Sequence, residues 1–224
     1  MSNQVLSCQN VTANYGAIQA LHGVNLEVNE GEIVVVLGAN GAGKTTTLRA
    51  ICNMVPGEGT VTFNGQDISK TDTATIVNAG IAHVPQGRGT FAALTVLENL
   101  EVGAYTRTDD EVESDIQMWL EKYPVLGERQ KQAAGSLSGG EQQRVGVARA
   151  VVHKPKILLA DEPTGNLDPQ LSAEMMTLFR RFQDVGVTVL IATHDIHLID
   201  RLGCRKICLE QGIVIDSGAN QGVC

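Results

Sequence analysis

Residues Gly38 to Thr46 read G-A-N-G-A-G-K-T-T and fit the spacing G-x-x-x-x-G-K-[ST]. In such a loop glycines let backbone N–H groups close around phosphates, a lysine reaches the β- and γ-phosphates, and a hydroxyl holds Mg²⁺. Here Gly38, Gly41 and Gly43 would shape the backbone, Lys44 would bring the charge and Thr45 the metal oxygen. A second reactive pair is Asp161-Glu162, two acids at the end of the apolar run K-I-L-L-A at 156–160. One acid can hold Mg²⁺, usually through water, while the other orients or deprotonates an attacking water. Ser138, Gly139 and Gly140 precede a helix that carries Glu141 in its first turn. That pattern serves as a backbone anion site or as an ordinary N-cap behind a glycine hinge. Three single residues leave alternatives open. Gln86, just past a strand end, can carry its amide oxygen to a metal or water, or be a solvated loop residue. His194 can hydrogen-bond a γ-phosphate or be structural. Tyr15 can stack on a nucleobase or simply pack.

The elements that must position these residues follow from hydrophobic period. Glu32 to Leu37 (E-I-V-V-V-L) is a buried strand and Thr45 to Cys52 a helix, so the glycine loop lies at a strand end and a helix N-terminus, where N–H groups and dipole favour an anion. Val5 to Tyr15 and Val24 to Val28 alternate with period two and predict an antiparallel layer before that strand. Strands are also expected at Thr60–Phe63, Ile81–Val84, Lys156–Ala160 and Val187–Ala192, with a closing hairpin at Arg205–Leu209 and Ile213–Ser217. Helices are expected over 73–79, 94–105, 109–123, 145–152, from Leu171 to Phe182, and over 196–202. No strand pattern interrupts residues 87–155. The chain therefore reads as α/β with a helical insertion.

Composition narrows the function classes. Seventeen Lys+Arg against 25 Asp+Glu give a net charge of −8, which opposes general affinity for nucleic acid or anionic lipid, so any anion site must be local. The five cysteines are scattered without a C-x-x-C pair, which argues against a disulfide framework or a zinc site and suits a reduced cytosolic compartment. No apolar run nears the roughly 18–20 residues needed to span a bilayer, and M-S-N-Q-V-L-S shows no signal pattern. The expectation is a soluble chain that reaches a membrane only through a partner.

Taken jointly and in order, the motifs resemble the ATP-binding cassette (ABC) ATPases over the whole chain. The resemblance implies an α/β fold of the P-loop NTPase ABC type: a mixed-sheet core, an antiparallel β layer and a helical insertion. One domain is implied over 1–224, with 1–85 and 155–224 as ATP-binding core and 86–154 as helical signature subdomain. Tyr15 resembles the adenine-stacking aromatic, and Gly38, Asn40, Gly41, Gly43, Lys44, Thr45 and Thr46 the nucleotide-binding Walker A residues. Gln86 matches the Q-loop residue, a metal and catalytic position. Ser138, Gly139, Gly140 and Glu141 match the signature that grips ATP across a dimer. Asp161 matches the Walker B metal acid, Glu162 the catalytic base, Asp168 the D-loop acid and His194 the switch histidine.

The resemblance further implies ATP and Mg²⁺, a second cassette packed head to tail as homo- or heterodimer, integral membrane subunits, and a peripheral place on the cytoplasmic face of the inner membrane. Residues 1 to about 107, with V-P-Q-G-R-G-T-F and T-V-L-E-N-L, are similar to branched-chain amino-acid importer cassettes of the LivF type. From about residue 137 on, the wording is similar to the cell-division type, FtsE-like. Amino-acid import is the leading expectation. The alternative is a homodimer that couples hydrolysis to a membrane partner without solute transport. A soluble ABC ATPase acting on nucleic acid would carry a basic patch, long coiled coils or zinc cysteines, and this sequence has none of these.

Overall fold

The computed structural model describes residues 3–87, 89–165, 167–196 and 203–218. Strand β1 (Gln4–Tyr15) pairs antiparallel with β2 (Ile18–Asn29). In β2, Val24, Leu26 and Val28 are buried while Asn25 and Glu27 face out, the alternation of a half-covered strand. Strand β3 (Ile33–Leu37) has every residue buried, as a strand covered on both faces requires. It leads through the glycine loop into α1 (Lys44–Ile51). Strands β4 (Thr60–Phe63) and β5 (Gln66–Asp67) complete the first sheet, in the order β2-β1-β4-β5. The short α2 (Thr73–Asn78) starts on an Asp72 cap and precedes β6 (Ile81–Val84).

Four helices follow: α3 (Val96–Gly103), α4 (Val112–Lys122), α5 (Pro124–Glu128) and α6 (Gly139–Val152). The chain then returns as β7 (Ile157–Asp161), α7 (Pro169–Asp184), β8 (Thr188–Thr193), β9 (Arg205–Glu210) and β10 (Ile213–Asp216). The second sheet runs β10-β9-β3-β8-β7-β6, parallel except for the β10-β9 hairpin. Strand alternation splits its side chains between two cores. Val35, Leu37, Leu158, Ala160 and Ile191 face α3, α4, α6 and α7, where Phe179, Phe182 and Trp119 pack. Val34, Val36, Leu159, Leu190 and Ala192 face α1 and the antiparallel sheet. Each fully buried Leu, Ile or Phe contributes roughly 1.5–3 kcal/mol, so both faces of this sheet are committed to the fold. What remains for chemistry is its edge at the strand C-termini.

Several elements depart from expectation. Strand β2 begins at Ile18, because hairpin pairing with β1 extends it beyond the period-two stretch. Helix α6 begins at Gly139, not Val145, because a reciprocal capping box between Ser138 and Glu141 nucleates it there. Helix α5 was not anticipated; it starts on Pro124, which suits a first helical turn. The helix expected over 196–202 lies outside the described residues beyond position 196. Cys8, Cys52 and Cys204 are free thiols, and burial pushes Cys8 and Cys52 up to about 12.

Candidate functional site

Strand β3 stops at Leu37 and the chain turns through glycines that nothing larger could replace. A Cβ on Gly38 would lie 2.4 Å from the Leu209 carbonyl oxygen, and Gly43 caps α1 at φ 102°, in the left-handed region. The turn leads directly into α1, which Lys44 opens. Its ammonium donates to the carbonyls of Gly38 at 2.8 Å and Ala39 at 3.2 Å, and pairs with Glu162 Oε1 at 3.2 Å. Both charged groups are only 6% exposed, so the pair works with little screening from water.

The acids come from the neighbouring part of the sheet. Asp161 ends β7 and is 1% exposed; its Oδ1 accepts from Thr45 Oγ1 at 3.1 Å. Burial raises the Asp161 pKa, against the Thr45 hydrogen bond, which lowers it. Glu162 takes a left-handed backbone, φ 46°, unusual for a residue with a side chain. That conformation is held from several directions: its N–H donates to Ala192 O at 2.8 Å, its Oε2 accepts from Thr193 Oγ1 at 3.1 Å, and its Oε1 lies 2.9 Å from His194 Nδ1. Strained backbone over-determined by its neighbours is a mark of functional sites.

A cavity of about 620 Å³ spans this edge, lined by Asn40, Gly41, Gly43, Lys44, Thr45, Thr46, Gln86 and Glu162 and, further along, by β2 residues and Gln211. An adjoining cavity of about 530 Å³ shares Asn40, Gln86 and Glu162 and adds Thr193 and His194. The structure thus brings together the glycine loop, Gln86, Asp161, Glu162 and His194. It does not bring Tyr15 or the signature residues into either cavity. Tyr15 is 43% exposed at the β1-β2 turn, and its cross-strand partner Ile18 lines the larger cavity instead. Ser138 and Glu141 bond to each other at the head of α6, Ser138 N–H to Glu141 Oε2 at 2.8 Å, and Arg129 pairs with Glu141 at 3.0 Å. Asp168 caps α7, accepting from the N–H groups of Gln170 and Leu171 at 2.9 and 3.0 Å.

Sequence reasoning missed Asn99. Fully buried on α3, it accepts from Phe91 N–H at 2.9 Å and donates to the carbonyls of Phe91 and Thr95, which fastens the loop that follows Gln86. An amide inside an apolar helical stripe was the available signal, since buried amides are kept where they are bonded.

A glycine loop feeding a helix N-terminus, with an acid pair at the end of a parallel strand one strand removed in the same sheet, defines a phosphate-loop nucleotide hydrolase. The ABC transporter family model matches residues 21–165, and the chain belongs to that family. It is an ABC-type ATP hydrolase, the nucleotide-binding subunit type that dimerises and works with membrane subunits. It is 39% identical over 218 residues to the high-affinity branched-chain amino acid transport ATP-binding protein BraG of Pseudomonas aeruginosa, covering 96% of this chain and 94% of that protein. It is 41% identical over 205 residues to the cell division ATP-binding protein FtsE of Escherichia coli, covering 89% of this chain and 92% of that one. The dimeric post-hydrolysis structure of an ATP-binding cassette bound to ADP and Pi superposes with a TM-score of 0.83 at 33% identity, covering 94% of this chain and 97% of that one.

Proposed function

We propose that this ATPase energises the import of branched-chain or other hydrophobic amino acids, as one of two cassettes packed head to tail under integral membrane subunits at the cytoplasmic face of the inner membrane. In this reading residues 1–85 and 155–224 act as the ATP-binding core, and 86–154 as the helical signature subdomain. Gly38, Asn40, Gly41, Gly43, Lys44, Thr45 and Thr46 hold the triphosphate. Thr45 Oγ1, the Asp161 carboxylate and the Gln86 amide oxygen suit Mg²⁺, a hard cation that takes oxygen ligands; a carboxylate whose charge burial disfavours fits that role. Bound there, Mg²⁺ supplies positive charge against the phosphoryl oxygens. Glu162 orients and deprotonates the attacking water, Lys44 and His194 meet charge on the γ-phosphate, and Ser138 to Glu141 serve the nucleotide of the facing cassette, with Asp168 beside them.

The observation that carries the catalytic assignment is the Glu162 carboxylate, held between Lys44, Thr193 and His194 on a left-handed backbone. The solute class is supported by the similarity to BraG along 96% of the chain. Leucine uptake measures it: in Pseudomonas aeruginosa lacking BraG, the chain restores uptake and its Glu162→Gln variant does not. A chain with full ATPase activity that restores none overturns the solute assignment. The similarity to FtsE favours a second reading, a homodimer that couples hydrolysis to a membrane partner without moving solute. Rescue of division in Escherichia coli lacking FtsE would select it.

A further inference from the structure

The larger cavity runs past the phosphate loop to a wall that the loop motif does not include. That wall is formed by Ile18, Ala20 and His22 of β2 and by Gln211, in the two-residue turn between β9 and β10. Gln211 has φ 48° and Gly212 φ 75°. Two successive left-handed residues make the turn that suits a two-residue hairpin, and such a turn prefers Asn, Asp or Gly at its first position. Glutamine there gives the turn no advantage, and the residue is exposed and lines the cavity. A poorly suited turn residue facing a cavity points to use of its side chain.

The turn is also fixed in place. Gly212 N–H donates to the Ala42 carbonyl of the phosphate loop at 2.9 Å, and His22 N–H donates to Gly212 O at 2.9 Å. A Cβ at position 212 would lie 2.3 Å from the Ala20 carbonyl oxygen, so only glycine allows this approach. The hairpin is thereby referenced to the same loop that would grip the phosphates, which sets Gln211 at a constant offset from them.

We propose that Gln211 is a specificity-determining residue that reads the adenine of ATP. Its carboxamide oxygen would accept from the exocyclic amine and its N–H₂ would donate to the neighbouring ring nitrogen, a two-bond match that guanine, with an acceptor in place of the amine, does not offer. Exposed Ile18 supplies apolar cover for a base face. The proposal rests on the nucleotide occupying this cavity.

Equilibrium binding of ATP, GTP and inorganic triphosphate tests it. Gln211→Gly removes the carboxamide and relaxes the left-handed backbone; Gln211→Asn suits the turn but is one methylene shorter. Both are expected to weaken ATP about five- to tenfold, the low end for a bidentate amide contact, and to leave GTP and inorganic triphosphate unchanged. Unchanged ATP affinity overturns the proposal. An equal loss for all three ligands also overturns it, by showing that the turn only braces the loop. Lys44→Ala separates the underlying reading: if that variant binds ATP and inorganic triphosphate like the parent chain, the nucleotide does not occupy this cavity at all.

Discussion

Two regions of this molecule set glycines at a helix N-terminus, and they are assembled in opposite ways. The phosphate loop is completed by residues far away in sequence: Thr45 bonds Asp161, Lys44 pairs with Glu162, and Glu162 is bracketed by Thr193 and His194. The signature helix end is local. Ser138 and Glu141, three residues apart, cap each other, and neither lines the cavity. Its two glycines divide the work. A Cβ on Gly140 would lie 2.7 Å from Leu171, whereas one on Gly139 would meet nothing within 4 Å. One glycine serves the fold and the other faces out. One region is therefore completed by folding, while the other keeps an exposed glycine at a helix N-terminus that the fold itself does not use, which is what the proposed sandwich of ATP between two cassettes would need.

Breaking the first region gives the largest effect. Glu162→Gln is expected to bind ATP yet lose about 10²–10⁴-fold in turnover, the range for a positioned general base; near-normal steady-state hydrolysis removes Glu162 from that role. The same variant sharpens the comparison. Light scattering after size exclusion shows a shift from monomer to dimer with ATP and Mg²⁺ if this chain supplies both half-sites, and persistent monomer with ATP bound if its partner is a different cassette.

Gly139→Asp attacks the second region alone. Because position 139 is open and an acid suits the first helical turn, the melting temperature stays within about 2 °C and the monomer still binds ATP. Hydrolysis falls by roughly tenfold or more as the new carboxylate repels the facing triphosphate. Full hydrolysis by this variant would detach the signature from catalysis.

Smaller effects probe the scaffold beneath each region. His83, on β6, has an unbonded Nε2 and is held by burial at a pKa of about 4, below its ordinary 6.5. The unfolded chain then binds more protons between those values, so stability present at neutral pH is lost as pH falls through that window. His83→Gln should flatten the acid limb of the unfolding free energy measured in urea by about 3 kcal/mol; an unchanged limb excludes His83 as its cause. Asp168→Ala removes the α7 cap, at about 1 kcal/mol, and lowers the melting temperature by about 2–4 °C. A loss of activity far beyond that shift would mark a role for Asp168 besides capping.

Much of this was legible in the chain. The phosphate loop, the acid pair and the strands at 60–63 and 81–84 could be read because each depends on local chemistry: glycine freedom, consecutive carboxylates, β-branched runs. The start of α6 was equally local, written in Ser138 and Glu141, whose reciprocal capping box carries the helix back from the 145–152 stretch to Gly139. Asn99 and Gln211 were not legible, because an amide in a helix and an amide in a turn declare nothing until their neighbours are known.

Sequence by itself determined the family, the order of the motifs and the residue types able to handle a triphosphate, since those rest on composition and spacing along one strand of chain. Tertiary structure decided which of them meet. Only the parallel pairing of β3 with β8 and of β8 with β7 brings Lys44, Asp161, Glu162 and His194 to one sheet edge. That same packing leaves Ser138 outside the cavity and sets Gln211 within it, because contact between distant residues is fixed by strand register and core burial, which no local pattern encodes.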